Sequence, residues 1–202
     1  MAAVLAPVAQ TASPAPATIA QTLGKFVADL GYDAIPQKVR ERAKYLILDA
    51  VGIAHASAHY DFAHRALSAV TELSAGGGDM PVIGQRARLQ ARDAMLMNGI
   101  LIHGLDYDDT HANGIIHATA SCFTSALATA ALAGLGGREL LASYVAGVEI
   151  AARLGWVAKG GFHQVGFHPT GLIGTFACTL IAGRQLGLNA RQLAMAQGIA
   201  LS

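Results

Sequence analysis

From Ala118 to Gly137 the chain carries no charged residue, and that run narrows the possible folds more than any other feature of the sequence. A helix that crosses a bilayer needs about 20 apolar residues, dominated by Leu, Ile and Phe and anchored at its ends by Trp, Tyr, Lys or Arg. This run is built from Ala, Ser, Thr and Gly, and it opens beside an acidic cluster where an anchor belongs. What remains is a helix buried on all sides within an all-helical protein.

The neighbouring segments agree with that reading. Ile19, Leu23, Phe26, Val27 and Leu30 recur at three-to-four spacing, so Thr18 to Leu30 is a predicted amphipathic helix that Gly31 ends. Pro36 opens a second, through Val39, Ala43, Leu46, Ile47, Ala50 and Val51 to Ala54, and the two form a helical hairpin. Phe62 to Leu73 is a third, closed by the loop Gly76-Gly77-Gly78, and Met80 to Gly84 is the one strand-like piece. Arg88 to Ile102 returns to helical spacing. After the acidic cluster come helices over Thr119–Leu135, Glu139–Leu154, Gly171–Leu186 and Ala190–Ser202, with Gly187 as a stop and Asn189 as an N-cap. Alternating β patterns of useful length are absent, and no repeat period emerges. The expected fold is all-α, a helical bundle packed closely through Ala and Gly.

Length allows one domain with a real core, and a disordered Ala/Pro/Ser/Thr lead-in is expected over residues 1–17. That lead-in has no basic region ahead of its weak apolar stretch, so it is a poor signal peptide. The formal charge of +1, with 14 basic residues scattered along the chain, leaves no footprint for nucleic acid or an anionic membrane. Cys122 and Cys178 sit in apolar surroundings without C-x-x-C spacing, as buried hydrophobes of a reducing compartment do, and a cytoplasmic location is expected. The last helix is still gathering apolar residues (Leu193, Met195, Ile199, Leu201) where the chain stops, as a fragment does, or a chain whose end is covered by something else.

The chemistry gathers in two places. Asn98 to His117 holds His103, His111 and His117, the carboxylates Asp106, Asp108 and Asp109, Thr110, and the loop signals Asn98-Gly99 and Asn113-Gly114, in a chain with only 13% charged residues against a usual figure of about 25%. Continued as a helix, Leu105 to His111 turns Asp106, Asp109 and Thr110 to one face and Asp108 away. Two carboxylates that close repel, so one holds its proton to higher pH, which makes an acid and a base from one residue type; the alternative is that some of them cap the following turn. The second place is Lys159 to Gly171, where glycines and Pro169 present His163 and His168 in a loop, with Thr170 as the predicted cap of the next helix. Backbone N–H groups at a helix start receive a carboxylate or phosphate, and His168 beside them is a candidate acid or base; His163 reads as a loop imidazole bonded to backbone. The histidines and aspartates are metal-ligand types, but none shows H-E-x-x-H or another strong spacing, so no metal is expected. The glycine-rich pieces follow no strand and match no phosphate loop.

On these residues the chain resembles the MmgE/PrpD family, which includes 2-methylcitrate dehydratase and cis-aconitate decarboxylase. The resemblance rests on T-L-G-K-F-V-A-D-L, L-I-L-D-A-V-G at Leu46 to Gly52, N-G-I-L-I-H-G-L-D-Y-D-D-T-H, Gly136 to Gly155, and G-F-H-P-T-G at Gly166 to Gly171, and so spans nearly all of residues 18–202. It implies a large helical domain, to which the family adds a smaller α/β lid, usually in a homodimer, and cofactor-free chemistry on small di- or tricarboxylates by loss of water or CO2 beside a carboxylate. Carried over by position, Asp106 and Thr110 match the D-x-x-x-T pair, His117 the histidine after it and His168 the histidine of the second motif. The resemblance thus assigns proton transfer to His168 or Asp106 and carboxylate holding to Thr110 and His117, with Asp109, His111 and Thr170 as further substrate contacts. Where many members have His-Pro-Ser, this chain has His117-Ala118-Thr119. The family chain is longer, with a lysine-bearing segment and the lid following the position of Ser202. The first expectation is a dehydratase of the 2-methylcitrate type. The alternatives are a cis-aconitate-type decarboxylase, a truncated non-catalytic helical module that associates with a partner chain, and, more remotely, a metal hydrolase built on the His/Asp cluster.

Overall fold

A computed structural model describes residues 16–74 and 77–202. In chain order the elements are α1 (Ile19–Asp29), α2 (Gln37–Ser57), α3 (Asp61–Leu73), β1 (Met80–Pro81), β2 (Arg88–Leu89), α4 (Ala91–His103), α5 (Thr119–Leu132), α6 (Gly137–Val157), the single turn α7 (Gly161–Gln164), α8 (Pro169–Gln185) and α9 (Ala190–Leu201). The all-α expectation holds; the β content among the described residues is one two-residue hairpin. Residues 1–15 of the expected lead-in, and Gly76, lie outside the described residues; Pro16 and Ala17 are exposed and non-helical.

The helix starts follow their caps. Thr18 accepts from the backbone N–H of Gln21 while the Gln21 side chain accepts from Thr18 N–H, and Asn189 and Gln192 repeat the same reciprocal pair at α9. α1 lies on α9, and Val27, Ile150, Leu180 and Leu193 seal a small apolar cluster among α1, α6, α8 and α9. The main core is shared by α2, α4, α5, α6 and α8, with Met97, Leu101, Ile102, Phe123, Tyr144 and Ile181 all buried. The small residues allow this closeness: a methyl group on Gly147 of α6 would collide with the Ile181 side chain of α8.

The first two thirds of the uncharged run are the buried helix its composition predicts, with Cys122, Ala126 and Ala130 of α5 inaccessible or nearly so, whereas the helix ends at Leu132, short of the expected Leu135, and residues 131–137 are exposed. Among the described residues α6 alone is long and apolar enough to cross a membrane. It lies between α5 and α8 and carries Glu139, which pairs with Arg184 of α8, and Glu149, which pairs with Arg153, so it serves as a core helix. Cys122 is buried and Cys178 half-buried; both are free, and burial pushes both thiols up, as expected of small apolar residues.

Four expectations are corrected, the first being the helical hairpin of the opening two helices: α1 packs on α9 rather than on α2. Arg88 and Leu89 are strand, not helix: they pair antiparallel with Pro81 and Met80, Leu89 is buried, and α4 begins only at Ala91. Asn98 and Gly99 are not a loop signal but lie inside α4, because the buried Asn98 amide has a partner in the hairpin. Its Oδ1 accepts from Ile83 N–H at 2.8 Å and its Nδ2 donates to Pro81 O at 3.2 Å, which fastens hairpin to helix. Finally, α8 begins before Thr170: His168 occupies the cap position, Pro169 is the first helical residue, and Thr170 falls in the first turn.

Arg184 links three helices. Its Nε donates to Glu139 Oε1 at 2.6 Å and its Nη1 donates to the carbonyl of Val27, with only 11% of its side chain exposed. Arg184→Leu leaves Glu139 and the Val27 carbonyl without that partner in a partly dry setting, at an expected cost of about 1–3 kcal/mol. A fall in the midpoint of thermal unfolding, read by circular dichroism, checks this; an unchanged midpoint contradicts it.

Candidate active site

The site is built where α4 stops. Gly104 caps α4, its N–H donating to Ile100 O at 2.8 Å, and a side chain there would strike the ring of Phe62. The chain then leaves helical geometry altogether. Asp106 takes a left-handed backbone (φ 52°) as its N–H donates to His103 O at 2.8 Å, a conformation that aspartate tolerates better than most residues. Residues 104–118 form a loop that closes on itself through a bridge between His111 and Ile116, with Ile115 also left-handed. Ile116 is 1% exposed and pins the loop to the core. Beneath it the loop approaches α6 so closely that a side chain at Gly155 would lie 3.0 Å from Gly114 O.

Because the loop is not a helix, the carboxylates do not share a face as the wheel predicts. Asp108, expected to turn away, is the buried one: its side chain is 1% exposed and its Oδ1 lies 3.0 Å from His103 Nδ1 and 3.5 Å from His117 Nδ1. Asp106 is exposed, with Oδ1 3.6 Å from His117 Nε2. Asp109 faces α5, where its Oδ1 accepts from Thr119 N–H at 2.9 Å, and so does the capping job that is the alternative to a substrate contact. Burial raises its carboxyl above the ordinary value, opposed by that bond to Thr119. His111, also expected at the substrate, spends its Nδ1 on Gly114 N–H at 3.0 Å, holding the loop. Both residues build the site; the observed bonds do not aim them at a ligand.

α8 supplies the other wall. Thr170 Oγ1 accepts from His117 N–H at 3.1 Å, which ties the first turn of α8 to the loop, and Thr110 Oγ1 lies 3.5 Å from His117 Nδ1. His168, at the cap position of α8, makes no capping bond with its side chain, and the first turn of that helix has no acidic residue. Its imidazole joins those of His103 and His117, with ring centres 6.1 Å and 6.4 Å away, and that of His163 at 5.9 Å. Partial desolvation, then the neighbouring His103, His163 and His117, hold His168 below the ordinary histidine value; Asp106 opposes them. The structure thus brings together Asp106, Thr110, His117, His168 and Thr170. It adds two groups not among the expected site residues, His103 and Asp108.

A cavity of about 590 Å³ opens beside this cluster between α4, α5 and α8, lined by His103, Gly104, Ser121, Thr124, Thr170 and Gly171 among others. A larger groove of about 930 Å³, lined by Tyr45, Leu48, Asp49, Tyr60 and Tyr107, has no histidine in its wall. The walls of the first cavity are largely apolar, with Met95, Leu96 and Ile100 among them, and His103 and Thr170 join it to the histidine cluster at the start of α8. His103, Asp106, Asp108 and His117 also each offer one ligand atom within 4.8 Å of the others, so among the described residues these four could hold a divalent cation.

Fold and site together define an all-helical domain that gathers histidines and aspartates at the N-terminus of one of its long helices. Residues 21–202 match the MmgE/PrpD N-terminal domain, and the chain belongs to that family. It is similar to the cis-aconitate decarboxylase of Aspergillus terreus, 27% identical over 181 residues that cover 87% of this chain and 37% of that protein. It is also similar to the cis-aconitate decarboxylase of Homo sapiens, 27% identical over 192 residues covering 92% and 39%, and to the cis-aconitate decarboxylase-like protein oryM of Aspergillus oryzae, 27% identical over 186 residues covering 88% and 38%. The chain therefore spans less than two fifths of the length of these curated relatives.

Proposed function

We propose that this chain is the helical part of a cofactor-independent lyase that acts on a small di- or tricarboxylate, removing a proton beside a carboxylate and expelling water. The observation that carries the proposal is the convergence of Asp106, His117 and His168 on the first turn of α8, beside a cavity of about 590 Å³. In the proposed step His168 or Asp106 takes the proton from the carbon next to a substrate carboxylate. The electron pair forms the carbon–carbon double bond, and the hydroxyl leaves the neighbouring carbon with a proton from the other member of the pair. Thr110, His117 and the N–H groups of the α8 first turn hold the substrate carboxylates and the charge that grows on them.

Decarboxylation is the second reading, and the names of the similar proteins favour it: the same groups would then protonate the carbanion left by CO2. A third is a non-catalytic helical module that associates with a partner chain, supported by Met195, Ile199 and Leu201 of α9, which are 61%, 75% and 75% exposed. The proposal includes a homodimer through such apolar surface, and a cytoplasmic location consistent with two free thiols, one buried and one half-buried.

The test is incubation of the purified protein with 2-methylcitrate and with cis-aconitate, with and without EDTA, followed by proton NMR, together with calorimetric binding of both acids. Water loss or CO2 loss that survives the chelator is expected; neither turnover nor binding of either acid overturns the lyase reading. The pH dependence has a defined sign. A base must be unprotonated, and His168 loses its proton at a lower pH than the ordinary 6.5. If it is the base, the acidic limb of the rate profile should have its midpoint below that value; a limb above 6.5 contradicts the assignment.

A further inference from the structure

We infer that Asp108 is a positioning residue, whose buried carboxylate holds His103 in the Nδ1–H tautomer and so leaves His103 Nε2 as an unprotonated nitrogen for proton transfer at the cavity between α4, α5 and α8. This rests on the lyase reading of the site. The bond itself does not. A carboxylate oxygen is an acceptor, so with Asp108 Oδ1 accepting across its 3.0 Å separation from His103 Nδ1, the proton of that contact sits on Nδ1. A neutral imidazole has one N–H, and the remaining nitrogen, Nε2, is then a base. His103 lines the cavity and keeps 36% of its side chain exposed, whereas the Asp108 side chain is 1% exposed. The buried partner is therefore the orienting group and the half-exposed one the group that meets a ligand. That is the arrangement in which a carboxylate fixes the tautomer and direction of a catalytic imidazole.

Two further observations point the same way. Asp108 Oδ2 is buried and has no hydrogen-bond partner among the described residues, so the contacts of this carboxylate lie on its Oδ1 side, toward the two imidazoles. A buried carboxylate kept for stability alone would have both oxygens satisfied. The imidazoles of His103 and His168 lie nearly parallel, 22° apart with centres 6.1 Å apart, so the held ring neighbours the other candidate for proton transfer. His117 Nδ1 stands 3.5 Å from both Asp108 Oδ1 and Thr110 Oγ1; at that range neither partner dictates its tautomer, so the inference is confined to His103.

The measurement is the nitrogen-15 NMR spectrum of the histidine rings, at a pH about two units above the ordinary histidine value so that the rings are neutral. The wild-type protein, Asp108→Ala and Asp108→Asn are compared, and His103→Ala assigns the signals. His103 is expected to show a protonated Nδ1 and a bare Nε2 in the wild type. In Asp108→Ala it should revert to the Nε2–H form that a free imidazole prefers, with turnover, where the lyase reading holds, falling about a hundredfold. A wild-type His103 protonated on Nε2 overturns the inference, and that reading needs no variant to fold. An unchanged tautomer in a folded Asp108 variant overturns it too, whether or not turnover falls. If neither polycarboxylate is bound or turned over while the tautomer switches as described, the lyase reading fails and the Asp108–His103 pair stands as a held imidazole.

Discussion

Asp106→Asn and His168→Ala are each expected to lower turnover by about 10³-fold, within the 10²–10⁴-fold that a positioned acid or base contributes, while the circular-dichroism spectrum stays that of the wild type. The separation of effects follows from where the two side chains sit. Asp106 is 82% exposed at its side chain, and its near neighbour is His117 Nε2 at 3.6 Å; asparagine fills the same space and accepts the same left-handed backbone. His168 is exposed, and its side chain makes no capping bond to α8, which Pro169 starts whatever stands before it. Neither change empties the core, so a loss of activity reports chemistry. Turnover retained in both variants sinks the assignment of proton transfer to this pair. If only one loses activity, the other is a holding group.

The largest expected effect on stability belongs to Ile116→Ala, at about 2–5 kcal/mol. Ile116 is 1% exposed, it closes the loop by accepting the N–H of His111 at 2.9 Å, and its side chain lies against Gly155 of α6. Truncation leaves a cavity under the loop that carries His117, the next residue in the chain, so the site should loosen together with the fold. Urea unfolding followed by circular dichroism measures the first effect, and a lowered affinity for a bound polycarboxylate measures the second. A loss of less than about 1 kcal/mol would show that the loop collapses into the space at little cost.

Legibility in the sequence followed the range of the physics involved. Amphipathic periodicity and capping are local, and they located α1, α2, α3, α5, α6, α8 and α9 to within a few residues of their observed bounds, with Asn189 as a start signal for α9. The motifs around Asp106 and His168 were also visible as a polar run in an apolar chain. The hairpin was not, because two-residue strands have no period to read, and what holds them is the amide of Asn98, some sixteen residues away in a helix.

The tertiary structure alone assigned the carboxylates. A helical wheel places Asp109 with Asp106 and turns Asp108 outward, and that projection fails because Gly104, packed on Phe62, ends the helix before the wheel applies. Past that point Asp106 is left-handed, Asp109 is taken up by the start of α5, and Asp108 is driven under two imidazoles. Nothing in the spacing of Asp106, Asp108 and Asp109 predicts this division, since each partner arrives through the packing of a different element: α4 brings His103, α5 brings Thr119, and α8 brings Thr170 and His168. By itself the sequence determined the class of fold, the family resemblance and the two stretches that meet. Only the packed chain decided which acid stays exposed beside His117, which caps a helix and which lies buried, because burial is a property of what lies across the site and not of what lies next along the chain.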